Sequence, residues 1–278
     1  MSKARRATPI PAHVAPWLYA ASLVVPVYFL FAAAGKSNPQ IFNDPFGFPL
    51  ADYDWGNFVR AWERTQMGSA LINSVIIVGS ALALTILFAL PAAYGIARLG
   101  GRVGKMLEGV FAAGLVIPGF AALVPSVLLA IALNMFQQKT FVVLLFTAGA
   151  LPLNVILLAA FMRYIPHELE ESALMDGASR LQVLRHVYTP MLIPGIATVS
   201  ILNFLSFWNE YLFSLVLLGA NSASRTVQVA LPTLAGRTET KYGELMAGTL
   251  MAMAPVLIIY LLLQKQFEQA LMDGAVKG

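Results

Sequence analysis

"EESALMDGASRLQVLRHVYTP", residues 170–190, is a polar, glycine-broken segment inside a chain of 278 residues that is 58% hydrophobic and 12% charged. Six charged residues fall between Glu168 and Arg185, and the six letters "ALMDGA" (173–178) return at 270–275. The segment reads as two short helices. Pro166 suits a first helical turn, and Glu168, Glu170 and Glu171 favour the positive end of the helix dipole. A first helix is expected to run to about Met175 or Asp176 and to end at Gly177, which takes a left-handed C-cap conformation without penalty. "SRLQ" (179–182) matches a capping box for a second helix, with Leu181, Leu184 and Tyr188 on one face and Pro190 closing it.

Outward from this segment the chain is apolar. Mean hydropathy is +0.72, and a bilayer-spanning helix needs about 20 mostly apolar residues. Six stretches qualify, near 15–35, 70–96, 109–135, 140–162, 190–218 and 245–264. The expected fold is therefore an all-α membrane protein of six transmembrane helices, with 1–278 as a single membrane domain. The first stretch is longer than the h-region of a signal peptide and is read as a retained helix. Pro91, Pro118, Pro125, Pro152, Pro194 and Pro255 lie inside the apolar stretches, where neighbours or water must satisfy the freed carbonyls.

The net charge of +4 is read as membrane topology rather than nucleic-acid binding. Six spans put both termini on one side. That side holds Lys3, Arg5, Arg6, Arg98, Arg102, Lys105, Arg163, Arg180, Arg185, Lys265 and Lys277; the other holds Lys36, Arg60, Arg64, Lys139, Arg225, Arg237 and Lys241. The excess places both termini and the 163–190 segment in the cytoplasm. On the opposite side, "WGNFVRAW" (55–62) spaces Trp55, Phe58, Val59 and Trp62 either for a short amphipathic helix on the membrane face or as aromatic belt residues.

Cysteine is absent, which excludes thiolate chemistry and disulfides. No metal site is expected. "GGRVGKM" (100–106) is not a phosphate loop: Leu99 stands where the first glycine belongs and Met106 where a magnesium-binding hydroxyl belongs. Glu210, in "FWNEY", is the one carboxylate inside an expected span, and such a residue is a functional candidate; about twenty residues past Pro190, it is also far enough along to stand near the outer surface. With Trp208, Asn209 and Asn154 it forms a candidate polar site, either lining a path through the membrane or meeting another membrane chain. Asn154, Asn203 and Asn73 also suit interhelical hydrogen bonds.

The run "IPHELEESALMDGASRLQVLRHVYTPML" resembles the EAA loop of ATP-binding-cassette importer permeases. The family pattern is E-A-A, three residues, G, nine residues, I-x-L-P; here it reads Glu171, Ser172, Ala173, Gly177, and then Val187, Tyr188, Thr189, Pro190. Ser172, Val187 and Thr189 depart from it without adding charge. "KSNPQIFNDPFGFP", "INSVII", "FWNEYLFSLVLL" and "DGAVKG" resemble the carbohydrate-importing branch, similar to the maltose and glycerol-phosphate permeases.

The resemblance implies a type I importer permease with a cytoplasmic coupling helix. It assigns Glu171, Ser172, Ala173 and Gly177 to a docking surface for an ATPase, which Glu170, Met175, Asp176 and Pro190 join, and it implies tail contact with the ATPase through Asp273, Gly274 and Lys277. Asp273–Gly274 also reads as a second helix end. The implied partners are a second homologous permease in a heterodimer, two ATPase subunits that bind the ATP and magnesium, and an extracytoplasmic solute-binding protein. The implied substrate is a sugar or polyol carried across a bacterial inner membrane. This chain would be non-catalytic and hold no cofactor. The alternative is a self-sufficient carrier driven by an ion gradient, a class that often shows coupling-ion groups at the midplane.

Overall fold

The computed structural model describes residues 10–99, 101–220, 223–236 and 240–275. Among them the elements are helical throughout: α1 (Ile10–Ala34), α2 (Asn38–Asn43), α3 (Gly56–Thr65), α4 (Met67–Leu99), α5 (Gly101–Val116), α6 (Leu123–Ala132) and α7 (Lys139–Arg163). Then follow α8 (His167–Met175), α9 (Arg180–Val183), a π-helical turn (Leu184–Tyr188), α10 (Thr189–Met191), α11 (Ile193–Trp208), α12 (Leu212–Leu218), α13 (Val227–Ala230) and α14 (Tyr242–Ala275). Four helices are long and apolar enough to cross a membrane, six if each of two bent pairs counts as one span.

The bends fall where the chemistry of the chain breaks a helix. The expected span at 109–135 is turned by 91° between 101–116 and 119–132. Pro118 sits at that corner in an extended conformation, and a proline pushes the residue before it out of the α region. The expected span at 190–218 is divided twice. A 77° bend separates 180–191 from 193–208, at Leu192, between Pro190 and Pro194. The helix then stops at Trp208 and restarts at Leu212.

Contacts divide the chain into two compact units, Met1–Met67 with Leu231–Ala254, and Gly68–Ala230 with Pro255–Gly278. The first has a small core of Ala34, Ala61, Leu234 and Ala247. Helix α3 forms as its spacing predicts, but it buries Asn57, Ala61 and Thr65. Phe58 packs on the core, while Trp55, Val59 and Trp62 face outward. The polar Asn57 is buried because its amide donates to the carbonyls of Ala34 (2.9 Å) and Lys36 (3.2 Å), closing the end of α1. Glu244, 1% exposed, receives Arg60 (3.2 Å) and Arg64.

In the second unit α7 is central. Glycines let its neighbours approach. A Cβ at Gly114 of α5 would lie 2.9 Å from the Pro152 ring, and one at Gly195 of α11 would lie 2.8 Å from the Phe161 ring. One core cluster gathers Ile77, Phe141, Phe146, Phe204, Phe207, Trp208 and Leu217. The other gathers Tyr94, Leu158, Met162, Val183, Tyr188, Leu192 and Val199 around the polar segment. Large apolar side chains such as Trp17, Leu87, Leu128 and Leu261 remain exposed, as expected of faces whose solvent is lipid or another apolar protein.

Candidate functional site

The polar segment folds largely as its local chemistry dictates. Helix α8 begins at His167, with Pro166 just outside it. Gly177 takes φ +85°, and the amide of Ala178 donates back to Ala173 (3.0 Å) while that of Gly177 donates to Leu174 (3.0 Å). This pattern satisfies the last carbonyls of the helix. The capping box then closes reciprocally. The amide of Ser179 donates to Gln182 Oε1 (2.7 Å), and the amide of Gln182 donates to Ser179 Oγ (3.4 Å).

The second helix departs from expectation. After only four residues, α9 gives way to the π turn, and both the amide and the hydroxyl of Thr189 donate to Leu184 O. The extra residue in that turn rotates the buried face. Val183, Leu184 and Tyr188 turn inward, while Leu181 is 72% exposed instead of sharing their face.

Helix α8 presents two unlike faces. Outward lie Glu171, Ser172, Met175, Asp176 and Gly177, with Met175 88% exposed. Pro190, in α10, is also exposed, and Ala173 is half-buried. Among the described residues, Glu171 has the His167 ring beside it, 3.4 Å away. A groove of about 410 Å³ runs between α8 and the second helical stretch, lined by Ala173, Asp176, Gly177, Ala178, Gln182, Val183, His186 and Val187.

Glu170 points the other way, and this corrects its place in the outward docking set: its carboxylate is 4% exposed and fully engaged inside the chain. Tyr94 of α4 donates to Oε1 (2.6 Å) and Tyr188 to Oε2 (2.8 Å). Arg98, one turn beyond Tyr94, brings Nε to 3.4 Å from Oε2. The same guanidinium donates to the carbonyls of Met162 (3.0 Å) and Ile165 (2.7 Å) at the end of α7 and lies 4.9 Å from the centre of the Tyr188 ring. Burial pushes the Glu170 carboxyl up, but the hydroxyls of Tyr94 and Tyr188, with Arg98 and His167, outweigh it and hold the pKa below the ordinary value. A buried carboxylate is tolerated when it is paired and hydrogen-bonded in this way.

Tyr94, Arg98 and Tyr188 were not singled out as site residues from the sequence. The available signal was a tyrosine and an arginine four apart at the polar end of α4, on one helical face.

The second candidate group is more dispersed. Glu210 stands at the break between α11 and α12, not within a span. Its Oε1 accepts from the Phe213 amide (2.7 Å), and its Oε2 from the amide (2.9 Å) and hydroxyl (2.8 Å) of Ser214. It caps α12. Asn209 is exposed, donates to Leu205 O (2.8 Å) and accepts weakly from Gln228 (3.4 Å). Trp208 is buried and stacks on Phe204. Asn154 is apart from these three and pairs with Asn203: each amide donates to the other's oxygen, at 3.2 and 2.7 Å. The pair joins α7 to α11.

Helix α14 continues through Ala275, so the backbone at Asp273–Gly274 is helical and does not end there. Their side chains, and Lys277 entirely, lie outside the described residues. Among the described residues no cluster of His, Asp or Glu could hold a metal ion.

Comparison with known proteins adds the following. The family model for "Binding-protein-dependent transport system inner membrane component" matches residues 85–273. The chain is 33% identical over 255 residues to the melibiose/raffinose/stachyose import permease protein MelC of Bacillus subtilis (strain 168), covering 91% of each chain. It is 30% identical over 262 residues to the diacetylchitobiose uptake system permease protein NgcG of Streptomyces coelicolor, covering 94% of this chain and 86% of that one. Among solved structures, a bacterial ABC transporter involved in the import of the acidic polysaccharide alginate superposes with a TM-score of 0.81 at 21% identity, covering 95% of this chain and 98% of that chain.

Proposed function

The chain belongs to the family of binding-protein-dependent transport system inner membrane components, and from that premise we propose that it is the membrane permease subunit of an ATP-driven importer for a sugar of the oligosaccharide class. The substrate class rests on the relatives, which by name import melibiose, raffinose and stachyose or take up diacetylchitobiose. The ion-gradient carrier alternative is set aside, since the family is defined by dependence on a binding protein.

The observation that carries the coupling role is Met175, 88% exposed on a short helix outside the spans and flanked by the exposed Glu171 and Asp176. A large apolar side chain between two carboxylates, beside an open groove, suits a knob seated in a partner's cleft. In this reading an ATPase subunit binds the outward face of α8, with Glu171 offering charge-assisted hydrogen bonds. The nucleotide and its magnesium belong to that partner. A second permease completes the translocation path, two ATPases drive it, and a binding protein delivers the sugar from the opposite side. Both termini then lie on the ATPase side, in keeping with the excess of Lys and Arg there.

The test is purification of the tagged chain from native membranes in mild detergent, with mass spectrometry of the accompanying proteins. Recovery of an ATPase, a second permease and a solute-binding protein is expected, and the recovered binding protein should take up radiolabelled raffinose or a related oligosaccharide. A chain that purifies alone and transports when reconstituted alone under an ion gradient would defeat the reading.

A further inference from the structure

Glu170 is a charged group with no role in the outward face of α8, yet more of the chain converges on it than on any of its acidic neighbours. Three segments meet at its carboxylate, and a fourth is reached through Arg98. It comes from α8, Tyr94 and Arg98 come from α4, Tyr188 comes from the π turn, and Arg98 carries the contact on to the carbonyls at the end of α7. The Tyr94 and Tyr188 rings also meet edge to face at 5.3 Å. Tyr94 and Tyr188 are each held by one hydrogen bond and by their mutual ring contact, and Arg98 by an ion pair at 3.4 Å and two carbonyls.

Elsewhere the polar segment holds to the unit mainly through apolar packing by Val183, Leu184 and Val187. Apolar packing is non-directional and lets helices shift by small steps. Hydrogen bonds to an anion are directional and strong. The carboxylate is therefore the group best suited to transmit a pull rather than only to fill space.

We propose that Glu170 is a positioning residue for transport: held by Tyr94, Tyr188 and Arg98, it locks the polar segment to the ends of α4 and α7, so that the three move as one body when the segment is displaced. The proposal rests on the reading that an ATPase seats on α8, and it separates two neighbouring carboxylates by task. Glu171 faces the partner; Glu170 passes the movement inward.

The experiment uses the whole importer in nanodiscs. Because the chain has no cysteine, cysteines introduced at Leu87 of α4 and Leu181 of α9, both well exposed, give defined sites for nitroxide labels. Pulsed electron–electron resonance then measures their separation without nucleotide and after trapping with ATP and vanadate. In the otherwise native chain one narrow distance, equal in both states, is expected. In E170Q and in the double variant Y94F/Y188F, which removes only two hydroxyl groups, the trapped state should broaden or shift by about 5 Å, the pitch of one helical turn. The ATPase should still co-purify in full amount. Distances that stay narrow and unchanged in both variants overturn the proposal. Loss of the ATPase from the variants but not from the native chain also overturns it, since Glu170 would then serve docking itself. Loss of the ATPase from the native chain would instead count against the docking reading. E170L, which can accept no hydrogen bond, should exceed E170Q in effect, an ordering that a purely steric role would not produce.

Discussion

Glu170 and Glu171 are adjacent, alike in chemistry and opposite in setting. One is 4% exposed, and the other's side chain is 69% exposed. Removing the buried charge leaves Arg98 without its anion, so E170L should cost about 3–5 kcal/mol, the usual range for breaking a buried ion pair, read as a lowered unfolding temperature in detergent. E171Q should change stability hardly at all. The Glu170 carboxyl has a folded pKa below its ordinary 4.5. Its contribution is therefore complete above that value and lost as the pH falls through the lowered one. Thermal unfolding between about pH 6 and pH 3 should show an acid limb in the native chain that flattens in E170Q. Gly177, at φ +85° with open space where a Cβ would stand, is constrained by backbone conformation alone. Gly177→Ala should cost about 1–2 kcal/mol, and Gly177→Asn less, since asparagine tolerates the left-handed region. Equal losses for the two would show that space, not conformation, selects glycine there.

At the level of elements, two polar devices hold the apolar helices in register. The Asn154–Asn203 pair ties α7 to α11. Asn154→Leu strands one amide and should cost about 1 kcal/mol; the double variant with Asn203→Leu should recover much of that loss, because no unpaired amide remains. A double-mutant cycle by chemical denaturation measures the coupling, and strictly additive losses would argue against a direct bond. Glu210 does its work through backbone amides three and four residues ahead. E210A should remove the cap of α12 at about 1 kcal/mol, whereas E210D should keep part of it.

Across the molecule, apolar surface is left exposed on α1, α4 and α14 and on the single outward methionine of α8. The first set suits lipid and a partner permease. The last suits an aqueous partner that covers it. Met175→Asp places a third carboxylate among Glu171 and Asp176, and the recovered ATPase should fall by about tenfold, equivalent to about 1.4 kcal/mol of binding. Recovery at the native level would move the docking surface elsewhere.

What the sequence alone determined is whatever acts within one helical turn or along one apolar run. Hydropathy located the spans, Gly177 ended α8, and Ser179 with Gln182 started α9, each because donor and acceptor are close neighbours in the chain. The Glu-Ser-Ala…Gly spacing, through its resemblance, pointed to the family. Only the tertiary structure decided which of two adjacent glutamates is buried, because that depends on where Tyr94 and Arg98, more than seventy residues earlier, place their donors. It also decided the bends at Pro118 and Leu192, where proline permits a break but packing sets its angle. Hydropathy runs straight through residues 190–218 and does not show the helix break at which Glu210 stands. Its carboxylate competes locally for backbone amides, and the helix yields to it.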